Sequence, residues 1–81
     1  MTLTVLLFAK ARDLAGAPSV DLDVADGTLI ADLRQLLVGR FPQLAGLQSS
    51  LLWAVDNEYV TTGRELHDGE TVACFPPVSG G

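Results

Sequence analysis

The run Phe75-Pro76-Pro77-Val78-Ser79-Gly80-Gly81 closes the 81-residue sequence with residue types suited to chemistry at a terminal carboxylate. A carboxylate is unreactive until it is activated, as an acyl adenylate is, after which sulfur or amine nucleophiles can trap it. An enzyme performing that step must admit the chain end into a narrow channel. Gly80 and Gly81 lack a Cβ and so offer the least bulk and the widest backbone freedom. Pro76 and Pro77 supply the complement, since they hold the preceding segment extended and make the tail project from the domain. At roughly 3.3 Å per residue, residues 76–81 reach about 20 Å, the depth of an active site.

The remaining reactive side chains assemble no conventional site. Cys74 is the single cysteine, so no intrachain disulfide and no C-x-x-C redox or metal motif can form, which fits a reducing, cytoplasmic setting. Strand alternation places Val72 and Cys74 on one side and Ala73 and Phe75 on the other. Cys74 then reads as a small core residue, and outward-facing Phe75 as either ordinary surface or a docking anchor, the adjoining Pro76, Pro77 and Val78 making a patch that favours docking. His67, the single histidine, sits in the polar loop ELHDGE and reads as solvated. Zinc lacks its histidine pair, and no glycine-rich phosphate cradle precedes a helix. Asp21 and Asp23 share one strand face, which is usually the wet side of a sheet. The expectation is a domain that binds no metal or cofactor of its own.

Length and charge narrow the class further. At 81 residues with 48% hydrophobic content, the chain can enclose one core and no second domain. The net charge of -5 opposes binding to nucleic acid, whose phosphates are held mainly by Lys and Arg. It suits docking on a basic protein face instead. The opening MTLTVLLFAK has too short an apolar run for a membrane span and no positive stretch ahead of it for a signal peptide.

The elements that must position the tail follow from period and punctuation. TLTVLLFA reads as a strand apolar on both faces and therefore central, and SVDLDVAD as a half-buried strand with Val20, Leu22 and Val24 inward. Gly16 and Pro18 between them suggest a long-looped hairpin. The period then changes: Leu29, Leu33, Leu36 and Leu37 form one helical stripe, with Thr28 as N-cap and Gly39 with Pro42 marking the end. After a GLQSS loop come a strand at LLWAV, a turn at DNE, a short strand at YV, a loop at TTGRELHDGE and a last strand at TVACF. The two prolines stop that strand, because neither can donate to a ladder. The expected class is α+β, a ubiquitin-like β-grasp with a mixed sheet of about four to five strands and one main helix on one face. Its domain would span 1–75, with 76–81 as the extended tail.

The segments VLLFAKARDLAG, AVDNEYV and LHDGETVACFPPVSGG resemble the small, sulfur-carrying subunit family of molybdopterin synthase. The resemblance runs the full length and is most specific in the acidic-Gly turn, final strand, Pro-Pro-Val and Gly-Gly. It implies that the carboxylate of Gly81 is adenylated with ATP by a ubiquitin-activating-like enzyme and converted to a thiocarboxylate with sulfur from a sulfurtransferase. It further implies that the tail, through Ser79, Gly80 and Gly81, enters the large synthase subunit. There, sulfur passes to cyclic pyranopterin monophosphate, in a heterotetramer of two small and two large subunits, with Phe75, Pro76, Pro77 and Val78 lining the docking surface. Cys74 departs from the family's pattern, where an aromatic or larger apolar residue is common. Other readings of the same tail are a thiamine-pathway sulfur carrier, a ubiquitin-like modifier joined to lysines through Gly81, and a docking domain with a frayed end.

Overall fold

The computed structural model describes residues 1–77. Within them the chain forms β1 (Thr2–Leu7), α1 (Ala9–Ala15), β2 (Ser19–Asp23), α2 (Ile30–Arg40), a 3-10 helix (Pro42–Leu47), β3 (Leu52–Val55), β4 (Glu58–Val60) and β5 (Thr71–Phe75). The strands make one five-stranded sheet in the order β2-β1-β5-β3-β4. β1 and β5 run parallel at its centre, and the other pairs are antiparallel. This is the expected mixed sheet with one main helix across one face.

Alternation decides which face is dry. Leu3, Val5 and Leu7 of β1, Val20 of β2, Trp53 and Val55 of β3, and Val72 and Cys74 of β5 all point to the same side and are buried. Ile30, Leu33 and Leu37 of α2 and Leu44 of the 3-10 helix close over them, each with no exposed surface. Each fully buried side chain of this kind contributes about 1.5–3 kcal/mol of hydrophobic transfer, largely offset by ordering entropy.

Several local expectations are corrected. The long loop expected after β1 contains α1, built from the helix-favouring run AKARDLA and closed by Gly16 in the left-handed region (φ 76), whose N–H donates to the Arg12 carbonyl. The GLQSS loop loses its first two residues to the 3-10 helix. Thr28 is not the cap of α2: its hydroxyl donates backward to the Ala25 carbonyl at 2.7 Å, and the cap residue is Leu29. Having no polar side-chain atom, Leu29 caps nothing itself. Asp32 reaches back to accept from the Leu29 N–H at 3.0 Å. Gly39 lies inside α2, which ends at Arg40. Leu36 is 49% exposed, because the helix turns its Ile30-Leu33-Leu37 stripe to the core and leaves Leu36 off it. On β1 only one face is buried, and its other face carries Thr4 and Leu6 half-exposed.

The loop before β5 is irregular but tied down. The Ile30 and Ala31 N–H groups, orphaned by their place in the first turn of α2, donate to the carbonyls of Arg64 and Thr62 at 3.0 and 2.9 Å. Leu66 plugs into the core at 1% exposure. Arg64 grips both carboxylate oxygens of Glu70 at 2.7 and 2.9 Å, and Glu70 also accepts from the His67 N–H. The start of β5 therefore has a fixed position. Among the described residues no helix is long and apolar enough to cross a membrane.

Candidate functional site

The exit strand carries the site. On the outer face of β5, opposite the core, Ala73 and Phe75 alternate with buried Val72 and Cys74. Phe75 pairs in register with Leu52 of β3. On its other side the Phe8 N–H donates to the Cys74 carbonyl at 3.1 Å, extending the β1–β5 pairing by one residue and bringing Phe8 beside Phe75. The Tyr59 ring meets Phe75 edge to face, with centroids 5.7 Å apart and planes at 62°, a favoured quadrupole geometry. Phe8, Leu52 and Tyr59 remain 46%, 38% and 75% exposed.

One row further along the sheet, register sets Leu6, Ala73, Ala54 and Tyr59 side by side on β1, β5, β3 and β4. The result is an apolar band across four strands that ends at the root of the tail. Of the expected docking residues, Phe75 and Pro76 are half-buried and Pro77 is exposed. Phe75 faces outward as its parity requires, but Tyr59 covers part of it. Val78, Ser79, Gly80 and Gly81 lie outside the described residues. Leu6, Phe8, Leu52 and Tyr59 were missed by a reading confined to the final strand. For Leu6 and Phe8 the signal lay in the unbroken apolar run from Val5 to Phe8, which supplies apolar side chains to both faces.

The other half of the outer face is polar and self-contained. Thr4 and Thr2 donate their hydroxyls to Asp21 and Asp23 at 2.8 Å, and the Thr2 N–H donates to Asp68 at 2.8 Å. These carboxylates are occupied with holding the sheet edge. His67 is exposed in its loop. Hydrogen bonding from Arg64, above all, holds the Glu70 carboxyl below the usual range, outweighing its partial desolvation. Burial pushes the Cys74 thiol up to about 12, and the side chain points into the core, away from the tail's face. Among the described residues no His, Cys, Asp or Glu group is arranged to hold a metal ion. Such an exposed apolar surface can bind a partner.

Comparison with known proteins places this geometry. The sequence pattern of the ThiS family matches residues 5–81. The chain is 35% identical over 79 residues to the molybdopterin synthase sulfur carrier subunit of Arabidopsis thaliana, covering 98% of this chain and 82% of that one. Among solved structures it is similar to SAMP1 from Haloferax volcanii, with a TM-score of 0.88, 28% identity and full coverage of both chains. The same fold, at TM-score 0.71 and 18% identity, occurs over the full length of a chain in the protein-protein complex of subunits 1 and 2 of the molybdopterin-converting factor from Helicobacter pylori. These likenesses make the fold a ubiquitin-like β-grasp.

Proposed function

The chain belongs to the ThiS family, and from that premise we propose that it is the sulfur carrier subunit of a molybdopterin synthase. In this reading an oxygen of the Gly81 carboxylate attacks the α-phosphate of ATP held by a ubiquitin-activating-like adenylyltransferase, and pyrophosphate leaves. The outer sulfur of a sulfurtransferase persulfide then displaces AMP to give an acyl disulfide, and a second thiol attacks its sulfurtransferase sulfur, forming a disulfide there and leaving a terminal thiocarboxylate. The tail enters the active site of the large subunit, where its sulfur passes to cyclic pyranopterin monophosphate on the way to the dithiolene of molybdopterin. The working assembly is a heterotetramer in the cytoplasm, with ATP consumed by the activating enzyme and nothing bound by the carrier itself.

The observation that carries this reading is the convergence of an exposed apolar band on Phe75, Pro76 and Pro77, the residues from which the tail departs. A partner that covers the band receives the chain end at a defined place. The curated relatives named as molybdopterin synthase sulfur carrier subunits support the carrier role. The similarity to SAMP1, a small archaeal modifier protein, supports a second use of the same activated end, attachment to lysines of other proteins.

The test is the intact mass of the protein after incubation with ATP, the cognate activating enzyme and a sulfur source. Exchange of one terminal oxygen for sulfur is expected in the full chain and not in a chain lacking Gly81. An unchanged mass with an activating enzyme proven on another carrier overturns the sulfur-carrier reading. Lysine conjugates in its place would favour the modifier.

A further inference from the structure

The apolar band is interrupted by a notch. Between Leu6 and Tyr59 the register row contains only Ala73 and Ala54, so the sheet surface dips where its neighbours stand up. The depression is about 210 Å³ and is lined by Leu6, Ala54, Ala73, Thr71, Asp56 and Asn57. Small-molecule sites generally enclose some 300–1,000 Å³, so this one suits a single long side chain better than a nucleotide or a pterin. Its floor is apolar and its rim is polar, with a carboxylate at one end.

That carboxylate is available. Asp56 occupies the β3–β4 turn, is exposed, and has no hydrogen-bond or ion-pair partner among the described residues. Arg64, which feels the Asp56 charge only weakly beside that of Glu70, is committed to Glu70 by two hydrogen bonds. Asp56 and Asn57 both hold left-handed backbone angles (φ 53 and 65), the signature of a tight two-residue hairpin turn. The acidic rim is thus fixed to the sheet and does not ride on a loose loop.

We propose that the notch receives an arginine side chain from the protein that docks on the sheet face. The aliphatic stem would lie on the Ala54 and Ala73 methyls beside Leu6, as long cationic side chains cover apolar surface while keeping the head in a polar setting. The planar guanidinium would meet the Asp56 carboxylate and donate to the oxygens of Thr71 and Asn57. A fork of five donors matches such a rim better than the point charge of a lysine. Charge complementarity points the same way, because the chain carries a net charge of -5 and attracts a basic face. The inference rests on the sulfur-carrier reading, which makes the large synthase subunit the docked protein.

Two variants separate the notch from the fold. Ala73→Leu fills the floor, while Asp56→Asn removes the charge and keeps a residue that tolerates the turn's backbone angles. Binding to the cognate large subunit is measured by calorimetry across a salt series, with thermal unfolding as the check on folding. Both variants are expected to bind about tenfold or more weakly, and Asp56→Asn to lose part of the salt dependence. Phenylglyoxal footprinting of the large subunit should reveal an arginine protected by the wild-type carrier and exposed again with Asp56→Asn. Folded variants that bind within twofold of wild type, or a footprint with no such arginine, overturn the notch assignment and leave the carrier reading standing. A large subunit that fails to bind the wild-type chain at all overturns both.

Discussion

The backbone N–H of Phe8 donates to the carbonyl of Cys74 at 3.1 Å, so the residue that leaves β1 is joined to the strand from which the tail departs. Through this bond Phe8 and Phe75 become neighbours on the outer face, although they are far apart in sequence. Their proximity makes a first prediction about docking. Centrally placed aromatic anchors typically dominate an interface. Phe8→Ala and Phe75→Ala should each weaken binding to the large subunit about tenfold or more, while Phe8→Ala, which truncates a side chain already 46% exposed, shifts the urea midpoint little. Calorimetric titration paired with urea unfolding reads both quantities. Unimpaired binding by both folded variants would move the interface away from the band.

The Arg64–Glu70 pair predicts how stability responds to acid. The Glu70 carboxyl is depressed in the folded state, chiefly by the hydrogen bonds from Arg64. A depressed carboxyl contributes stability that is present above its unfolded value and is lost as pH falls through its folded value. With side chains 30% and 16% exposed, solvent screens the pair, and about 1 kcal/mol is a reasonable size for its contribution near neutrality. Glu70→Gln should therefore lower the urea midpoint at pH 7, and its deficit should shrink as the pH is brought below the carboxylate range. A deficit that stays constant into acid would mean that packing of the side chain, and not its charge, holds the loop.

Two glycines predict opposite signs for the same substitution. Gly39 lies inside α2, at an ordinary helical angle, and a Cβ there would meet nothing within 4 Å. Gly39→Ala should stabilise by about 0.5–1 kcal/mol through helix propensity and a less free unfolded chain. Gly16 also has open space around it, but its φ of 76 is the left-handed cap of α1. Gly16→Ala should cost about 1 kcal/mol, since an L side chain is strained there. Urea midpoints of the two variants measured side by side test the pair, and a stabilising Gly16→Ala would contradict the described cap.

What the sequence displayed and what it concealed follow one physical line. The strands were legible because Val20, Leu22 and Val24, or Val72 and Cys74, alternate against polar or small partners, and a period of two has few other meanings. α1 was hidden because it is seven residues long and buries only Ala11, too little apolar surface to leave a stripe. Leu36 reads as core because a leucine at helical spacing looks the same whether the helix turns it inward or outward. Thr28 looked like a cap because its type is right, but its hydroxyl finds the Ala25 carbonyl first. For the candidate site, the tail was visible as composition, whereas the band and the notch depend on strand order. Leu6, Ala73, Ala54 and Tyr59 belong to four separate stretches of chain, and only the pairing of β1 with β5, of β5 with β3 and of β3 with β4 brings them into one row.

Cys74 supplies the last prediction, because a carrier of activated acyl groups is endangered by its own nucleophiles. The thiol is fully buried, and that burial pushes it up to about 12, so almost no thiolate exists near neutrality to attack an activated Gly81. Native protein should resist iodoacetamide from pH 7 to 9 and react rapidly in denaturing urea, with the native rate set by transient opening. The linkage sign follows from the raised value: stability is whole below the unfolded thiol's value near 8.5 and falls as pH climbs from there toward the folded one. Cys74→Ala should abolish that alkaline loss at a modest cavity cost. Cys74→Ser should cost more, about 1–3 kcal/mol, by burying a hydroxyl where a weakly polar sulfur sat. Both variants should acquire the terminal thiocarboxylate as the wild type does, read by intact mass. Rapid alkylation of the native thiol would contradict its burial, and loss of thiocarboxylation in Cys74→Ala would show that the residue takes part in the sulfur chemistry.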